Sequence, residues 1–441
     1  MRPPGVLMAH LKGKRKYAIL SVMVASVAGF FFGLCGLNSP GRAPHPILGP
    51  VAEARLFVEE KKLPSIRRLL AAQIAVFESR DYEEAEQCLQ GLKAAGVNTV
   101  IVRAFQNEGD RLYGFARPQH QTGVYFQTSH APVVDPVMAK IVSMGHRQGL
   151  KVYAWMETRN MPLEVPDPKA SKARRYSFET GSLEPMEMWS IFSAAVQKKL
   201  IGLFEDVVRS GIDGILFQDD LVMYQCEDFS ARAAALFEKE TGRLLDPERL
   251  YRKVFLDREG RGRVSHYSDT FWLWARWKNQ KLLALADKLI RAAKGVDPET
   301  EIAVNFVYES VSDPKNALAW LSQSLTEATK LPIDYYSVMA YHRQMQKELS
   351  LTEEAVYDKI SLMTATLLDL IDDPHKILMK IQMSDWDTQK QIPSFEADEI
   401  FQRINAQGRV SLAFFPYSSQ IPMGLIGYHF RQGSEGMPPT Q

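Results

Sequence analysis

The sequence predicts an α/β fold, a (β/α)8 barrel of the TIM type preceded by a membrane-spanning or signal segment. Three observations predict it. Short apolar runs of strand character recur along the chain, helical patterns separate them, and polar residues gather just after the runs end. Eight strands alternating with helices argue for a parallel sheet, and eight such units favour a closed barrel over an open sheet. No glycine-rich dinucleotide fingerprint follows any of the runs, which argues against the doubly wound alternative.

In chain order, Lys12, Lys14, Arg15 and Lys16 form a basic cluster, and residues 17–37 then carry no charge. That run has about the length a helix needs to span a bilayer. Basic residues before it predict a cytoplasmic amino terminus and an exported remainder. A cleaved signal would show a shorter apolar core and an Ala-x-Ala-like site, so a retained anchor is the expectation. Residues 38–50 are rich in Pro and Gly and read as a linker. Residues 51–77 are charged and apolar by turns and read as a helical stalk or a helix packed outside the barrel. The barrel is expected to begin at Asp81 and run to about residue 430, with 431–441 as a disordered tail.

From Asp81 the units are clear. Tyr82, Ala85, Cys88, Leu89 and Leu92 fall at helical spacing, Gly96 stops the helix, and residues 98–102 form a strand. Strands are predicted at 99–104, 151–156, 212–217, 301–307, 334–340, 377–383 and 410–415, with a weaker eighth at 123–126. Helices are predicted at 137–148, 186–209, 230–241, 272–294, 315–331, 352–371 and 395–406.

Composition narrows the function. Lys plus Arg number 53 against 52 Asp plus Glu, so neither nucleic acid nor a strongly acidic partner is indicated. Cys35, Cys88 and Cys226 lie far apart and the His residues are scattered, so no metal spacing or disulfide framework emerges and no metal or cofactor is expected. The most informative stretch is 211–220, where the apolar Ile215-Leu216-Phe217 is followed at once by Gln218, Asp219 and Asp220. Acids at the carboxyl end of a parallel strand are the usual place for chemistry in such a barrel. An Asp in a loop is also a common helix cap, and spacing alone leaves both readings open. The other strand ends supply Trp155, Glu157-Thr158-Arg159, Tyr308-Glu309, Tyr341-His342 and Ser384-Asp385-Trp386. Aromatic faces stack on sugar rings, while carboxylates and amides bind hydroxyls.

Five stretches, NTVIVRAF at 98–105, GVYFQTSHAP at 123–132, KVYAWM at 151–156, GILFQDD at 214–220 with Glu227-Asp228, and QMSDW at 382–386, resemble the glycoside hydrolase domain of the bacterial biofilm enzymes that process poly-β-1,6-N-acetylglucosamine. The resemblance covers 81 to about 420 and leaves out those enzymes' deacetylase domain. Gln218 stands where the family usually has His, and Gln225 where it tends to carry Asp. Met339-Ala340-Tyr341-His342 is similar to the Met-x-Tyr-Asp of chitinase-type barrels, and the position of the chitinase acid falls on Asp220. The resemblance implies a hydrolase of a β-1,6-linked N-acetylglucosamine or glucosamine polymer, in a bacterial envelope beside exopolysaccharide export machinery.

Glycoside cleavage needs a proton for the leaving oxygen and support for an oxocarbenium-like centre. Two adjacent carboxylates raise one another's pKa. Asp220 is therefore expected to be the general acid, with Asp219 tuning it or binding sugar. Gln218, Glu227, Asp228, Tyr341, Asp385, Trp386, Trp155 and Glu309 are expected to contact the polymer. Glu309 or Asp385, or the substrate's own acetamide oriented by Tyr341, would supply the second catalytic group. The rival readings are a barrel that binds polysaccharide without cleaving it and a hydrolase of another amino-sugar polymer.

Overall fold

The computed structural model describes residues 68–256 and 262–418, with positions 421, 424 and 428. The predicted anchor at 17–37, the linker and the tail at 431–441 lie outside the described residues. Eight parallel strands close into a barrel: β1 Leu70–Ile74, β2 Thr99–Arg103, β3 Lys151–Met156, β4 Gly214–Phe217, β5 Glu301–Val307, β6 Tyr335–Ala340, β7 Ile377–Gln382 and β8 Ser411–Tyr417, each beside the next and β8 beside β1. Most of their residues are buried on both faces, which is why they read as continuous apolar runs. The helices outside start on side-chain caps that the sequence carries. Asp81 accepts from the N–H of Glu84, Ser230 from Ala233, Ser268 from Phe271 and Thr352 from Ala355.

Four expectations change. The first barrel strand is Leu70–Ile74, so the barrel begins before Asp81 and part of the expected stalk helix is sheet. The segment Leu-Ala-Ala-Gln-Ile has helix-favouring composition, but Ala71 to Ile74 are buried and Ala71 pairs with both Thr99 and Ala413; tertiary pairing overrides propensity. The weak strand at 123–126 is not in the barrel. Gly123–Val124 pairs antiparallel with Phe105–Gln106 as a short ribbon over the mouth of β2. The predicted helix at 186–209 is helical only over Ala194–Val208. Its first residues belong to a hairpin of Lys172–Ser177 with Ser182–Trp189, in which Met186 and Met188 alternate inward onto Ala173. The helix predicted at 315–331 breaks at Ser322, where φ is 51°, into Pro314–Leu321 and Leu325–Ala328.

The connection after β4 is the longest. It carries helix Ala231–Thr241 and a second hairpin, Tyr251–Leu256 with Gly262–Tyr267. Phe237, Tyr251, Phe271, Trp274 and Trp277 form an aromatic core there, separate from the barrel core. Gln225 belongs to this structure: Tyr251 donates to its backbone oxygen at 2.7 Å and Tyr267 to its side chain.

Strand register explains where the chemistry sits. Gln73, Ile101, Tyr153 and Gly214 pair in turn across β1 to β4, and Asn305, Ser337 and Leu378 across β5 to β7. Side chains two residues on share a face. One continuous inner surface therefore holds Arg103, Trp155, Gln218, Asn305, Lys380 and Phe415. The ring contact of Trp155 with Phe415, from strands that are not neighbours, fixes that face as the interior. Bulky aliphatic residues usually fill such interiors. Here the upper end is built from amides, acids, two cations and aromatic rings, nearly all buried.

Candidate active site

The acid pair follows β4 directly, and the fold gives its two members different surroundings. Asp220 is buried and fully engaged. The Thr158 N–H reaches both its oxygens at 3.0 and 2.9 Å, the Thr158 hydroxyl donates to Oδ1 at 2.9 Å, and the Asn160 N–H donates to Oδ2 at 2.8 Å. Burial raises its pKa, and the Asn160 and Thr158 hydrogen bonds and nearby Arg159 work against that rise. Asp219 is only partly buried as a residue, yet its Oδ1 is sealed from solvent and no other atom of the described protein bonds to it. Burial lifts the Asp219 carboxyl to about 6; Lys380 opposes the rise and Asp220 adds to it.

Three neighbours complete the charge balance. Lys380, pointing inward from β7, donates to Asn305 Oδ1 at 3.2 Å and lies 4.9 Å from the Phe415 ring centre. Burial brings its ammonium down to about 7, opposed by the charge of Asp219. Glu157, at the end of β3, is held well above the usual carboxylate range by burial and then by Asp220, with Asn107 Nδ2 3.3 Å from its Oε1. Arg103 pairs with Asp110 at 2.8 Å and lies over the Phe105 ring. Lys380 was legible as a lone charge inside the apolar strand at 377–383. Thr158 and Asn160 had no such mark, because their role is to donate hydrogen bonds to an acid 60 residues away.

The aromatic wall is continuous. Trp155 meets Phe415 edge-on at 5.6 Å, Phe415 stacks on Tyr341 at 5.8 Å, and Trp386 meets Tyr341 edge-on at 5.6 Å. Trp386 is partly exposed and its Nε1 has no partner among the described residues, while Tyr341 and Trp155 are buried. Trp155 Nε1 donates to Gln218 Oε1. Gln218 thus orients the indole from below, and the contact expected between it and the polymer is replaced by this internal one.

Burial and pairing correct two further expectations, at Glu227 and Asp228, while Asp385 and Glu309 stay partly exposed. Glu227 is wholly buried and forks onto Arg159 at 2.5 and 3.2 Å, while also accepting the Tyr224 N–H at 2.8 Å. Asp228 is buried and accepts from the backbone of Arg174 and Ser230 and from the Ser190 hydroxyl. Both brace the loop after β4 and present no surface to a polymer. Asp385 caps its own loop, accepting from Thr388 N–H and hydroxyl and from Asp387, with Arg343 3.3 Å away. Burial alone would raise its pKa, but the Thr388 and Asp387 donors and Arg343 hold the carboxyl below its usual range. Glu309 opens the helix after β5. Burial lifts it to about 7, and the groups acting on it are Glu348, Tyr308 and Asp313, not the acid pair.

Beside the site, a groove of about 310 Å³ is lined by Asn160, Met161, Leu163, Lys172 and Trp189. It starts at the residue whose N–H holds Asp220. A larger depression of about 600 Å³ lies outside the barrel between helices Tyr82–Ala94 and Met138–Arg147, with no strand-end residue in its lining. Among the described residues no cluster of three His, Cys, Asp or Glu is arranged to hold a metal ion.

Known proteins share this architecture. The model of a family described as hypothetical glycosyl hydrolase family 13 matches residues 79–415. The poly-β-1,6-N-acetyl-D-glucosamine N-deacetylase of Escherichia coli strain K12 is 21% identical over 374 residues, covering 81% of this chain. The chain spans about half the length of that relative, 50%. Among solved structures, the glycoside hydrolase domain of PgaB (BpsB) from Bordetella bronchiseptica superposes with a TM-score of 0.62 at 20% identity, covering 84% of this chain and 97% of that one. The catalytic domain of β-amylase from Paenibacillus polymyxa does so with a TM-score of 0.52 at 10% identity, covering 83% and 98%. At these identities the structural likeness speaks for the fold.

Proposed function

Because the chain belongs to hypothetical glycosyl hydrolase family 13, we propose that it is a glycoside hydrolase that cleaves a β-1,6-linked N-acetylglucosamine or glucosamine polymer, with Asp219 as the general acid. The observation that carries the reading is the asymmetry of the acid pair. One carboxylate is bound on both oxygens; the other belongs to a residue still partly open to solvent, has one oxygen without a partner among the described residues, and is lifted by burial to about 6, beside Tyr341 of the aromatic wall. This reverses the roles expected from sequence. Asp220, held by Thr158 and Asn160, has no oxygen left to deliver a proton, and its charge instead raises the pKa of Asp219.

In the proposed reaction Asp219 gives its proton to the leaving glycosidic oxygen as the bond to the anomeric carbon breaks. The positive charge that develops there is met by the 2-acetamido oxygen of an N-acetylated residue, as in the substrate-assisted exceptions to the two-carboxylate scheme; water then adds to the anomeric carbon, displaces that oxygen and gives its proton to the Asp219 carboxylate. What supports an acetamide in this role is that Asp385 is engaged in its loop and with Arg343, and that Glu309 is lifted by burial with Glu348 repelling its charge, while the acid pair is not among the groups acting on it. Tyr341 and Trp386 would flank the sugar whose bond breaks.

The test is product analysis after incubation with partly deacetylated poly-β-1,6-N-acetylglucosamine, chitosan and peptidoglycan. Shortened oligosaccharides from the first alone are expected. Cleavage of only another polymer would move the substrate class, and binding without shortening would make the barrel a polysaccharide-binding module. Trp386→Ala should weaken oligosaccharide binding by about 0.5–1.5 kcal/mol, the order of an aromatic contact. Calorimetric titration checks this. Unaltered affinity with a lowered unfolding temperature would make the ring a packing residue of Tyr341 and Phe415.

A further inference from the structure

We propose that Lys380 is a positioning residue of the acid, its ammonium facing the mouth of the barrel so that its charge determines when Asp219 carries a proton. The inner face of β7 places it there. Lys380 pairs in register with Met339 of β6 and Ala413 of β8, and its Nζ reaches past β6 to Asn305 of β5. The side chain is 2% exposed, and a buried ammonium is costly unless paired. Asn305 Oδ1 accepts from it at 3.2 Å, and the Phe415 and Tyr341 rings lie 4.9 and 6.0 Å away. Val304 of β5 pairs with Phe217 of β4, so Asn305, which holds the ammonium, stands level with Gln218 and next to Asp219; from there the charges of Lys380 and Asp219 act on one another.

The groups around the two are few. Asp220 adjoins Asp219 on the same segment and raises it; Glu157 at the end of β3 faces Asp220 and Arg103 of β2 acts on Glu157; Tyr341 from the end of β6 and Tyr224 from the loop after β4 both feel the Asp219 charge. With Lys380 at about 7 and Asp219 at about 6, the two titrate as a pair over the range in which the acid must hold its proton. Below that range Asp219 is protonated and Lys380 charged. As pH rises, Asp219 loses its proton first because the ammonium favours the carboxylate. The amine thus sets the alkaline limit of activity without touching the substrate.

The catalytic consequence rests on Asp219 being the acid; the charge coupling does not, and the experiment separates them. Lys380→Met keeps an unbranched side chain, one atom shorter, and removes the charge, and Lys380→Arg keeps the charge. The Asp219 carboxyl carbon, assigned by its loss in Asp219→Asn, is followed by ¹³C NMR across pH in each protein. Its midpoint should rise by about one pH unit or more in Lys380→Met, as expected for removal of an opposite charge, and return towards the native value in Lys380→Arg. The alkaline limb of kcat/KM should move up with it. An unmoved carboxyl midpoint overturns the inference. A moved midpoint with an unmoved limb keeps the coupling and rejects Asp219 as the acid. Should Lys380→Met not fold, the Lys380 Cε resonance in native protein and in Asp219→Asn answers the same question. Its midpoint should fall when the Asp219 charge is removed, and no fall overturns the inference.

Discussion

Asp219→Asn should lower kcat on a cleaved amino-sugar polymer by roughly 100–10,000-fold, the usual worth of general acid catalysis, with oligosaccharide affinity kept or increased. The substitution preserves shape and leaves an amide where the transferable proton was. Asp220→Asn should act differently. Its carboxylate is the acceptor for three donors, Thr158 N–H, Thr158 hydroxyl and Asn160 N–H, and an amide supplies one acceptor oxygen in place of two. Some loss of stability and of positioning follows. The clearer signature is in the pH profile. The Asp220 charge helps hold the Asp219 pKa up, so removing it lowers that pKa, and the alkaline limb of kcat/KM, which reports the acid losing its proton, moves to lower pH. Steady-state rates across pH for both variants check the assignment. Full turnover in Asp219→Asn with loss in Asp220→Asn would return the acid to Asp220.

Most of the barrel was legible because its signal is local. A strand covered on both faces must be apolar throughout, and Val152, Ile215, Phe306 or Ile381 announce it without reference to anything distant. The first strand was not legible for the opposite reason: Leu-Ala-Ala-Gln-Ile carries no β-branched run, and only pairing with Thr99 and Ala413 makes it a strand. The hairpin at 182–189 was missed because its alternating Met186 and Met188 were absorbed into the pattern of the helix that follows.

The site divides along the same line. Placement was readable, since acids that follow an apolar parallel strand fall at its carboxyl end, here just past β4. The surroundings of each acid were not, because they depend on which oxygen meets which donor. The donors to Asp220 come from β3's exit loop, the charge opposing the Asp219 rise comes from β7, and neither is close in sequence. Burial also sorts acids that look alike in the chain. Glu227 and Asp228 lie within a few residues of the acid pair and share its composition, yet they face inward onto Arg159, Arg174 and Ser190.

That sorting has its own test at Glu227. Its carboxylate and the Arg159 guanidinium are both almost fully buried, with two oxygen–nitrogen contacts at 2.5 and 3.2 Å. Lys278, also buried, holds the chain around it by donating to the carbonyls of Tyr224 and Glu227 at 2.7 and 2.6 Å. Glu227→Ala would leave a guanidinium buried without its counter-ion, and breaking such a pair from one side costs about 3–5 kcal/mol. The unfolding temperature should fall by roughly 5–10 °C on the scaling of stability to midpoint. Arg159→Met combined with Glu227→Met should recover part of that loss, because the uncompensated charge goes with its partner. Arg159 also donates to the backbone of Trp189 and Val222, which keeps the recovery incomplete. Calorimetric unfolding of the single and double variants, beside oligosaccharide titration well below the transition, distinguishes the two roles. A stable Glu227→Ala with weakened polymer binding would restore Glu227 to the groove. A destabilised protein whose folded fraction binds normally would make it the brace that keeps the Thr158–Asn160 cradle, and with it Asp220, in place.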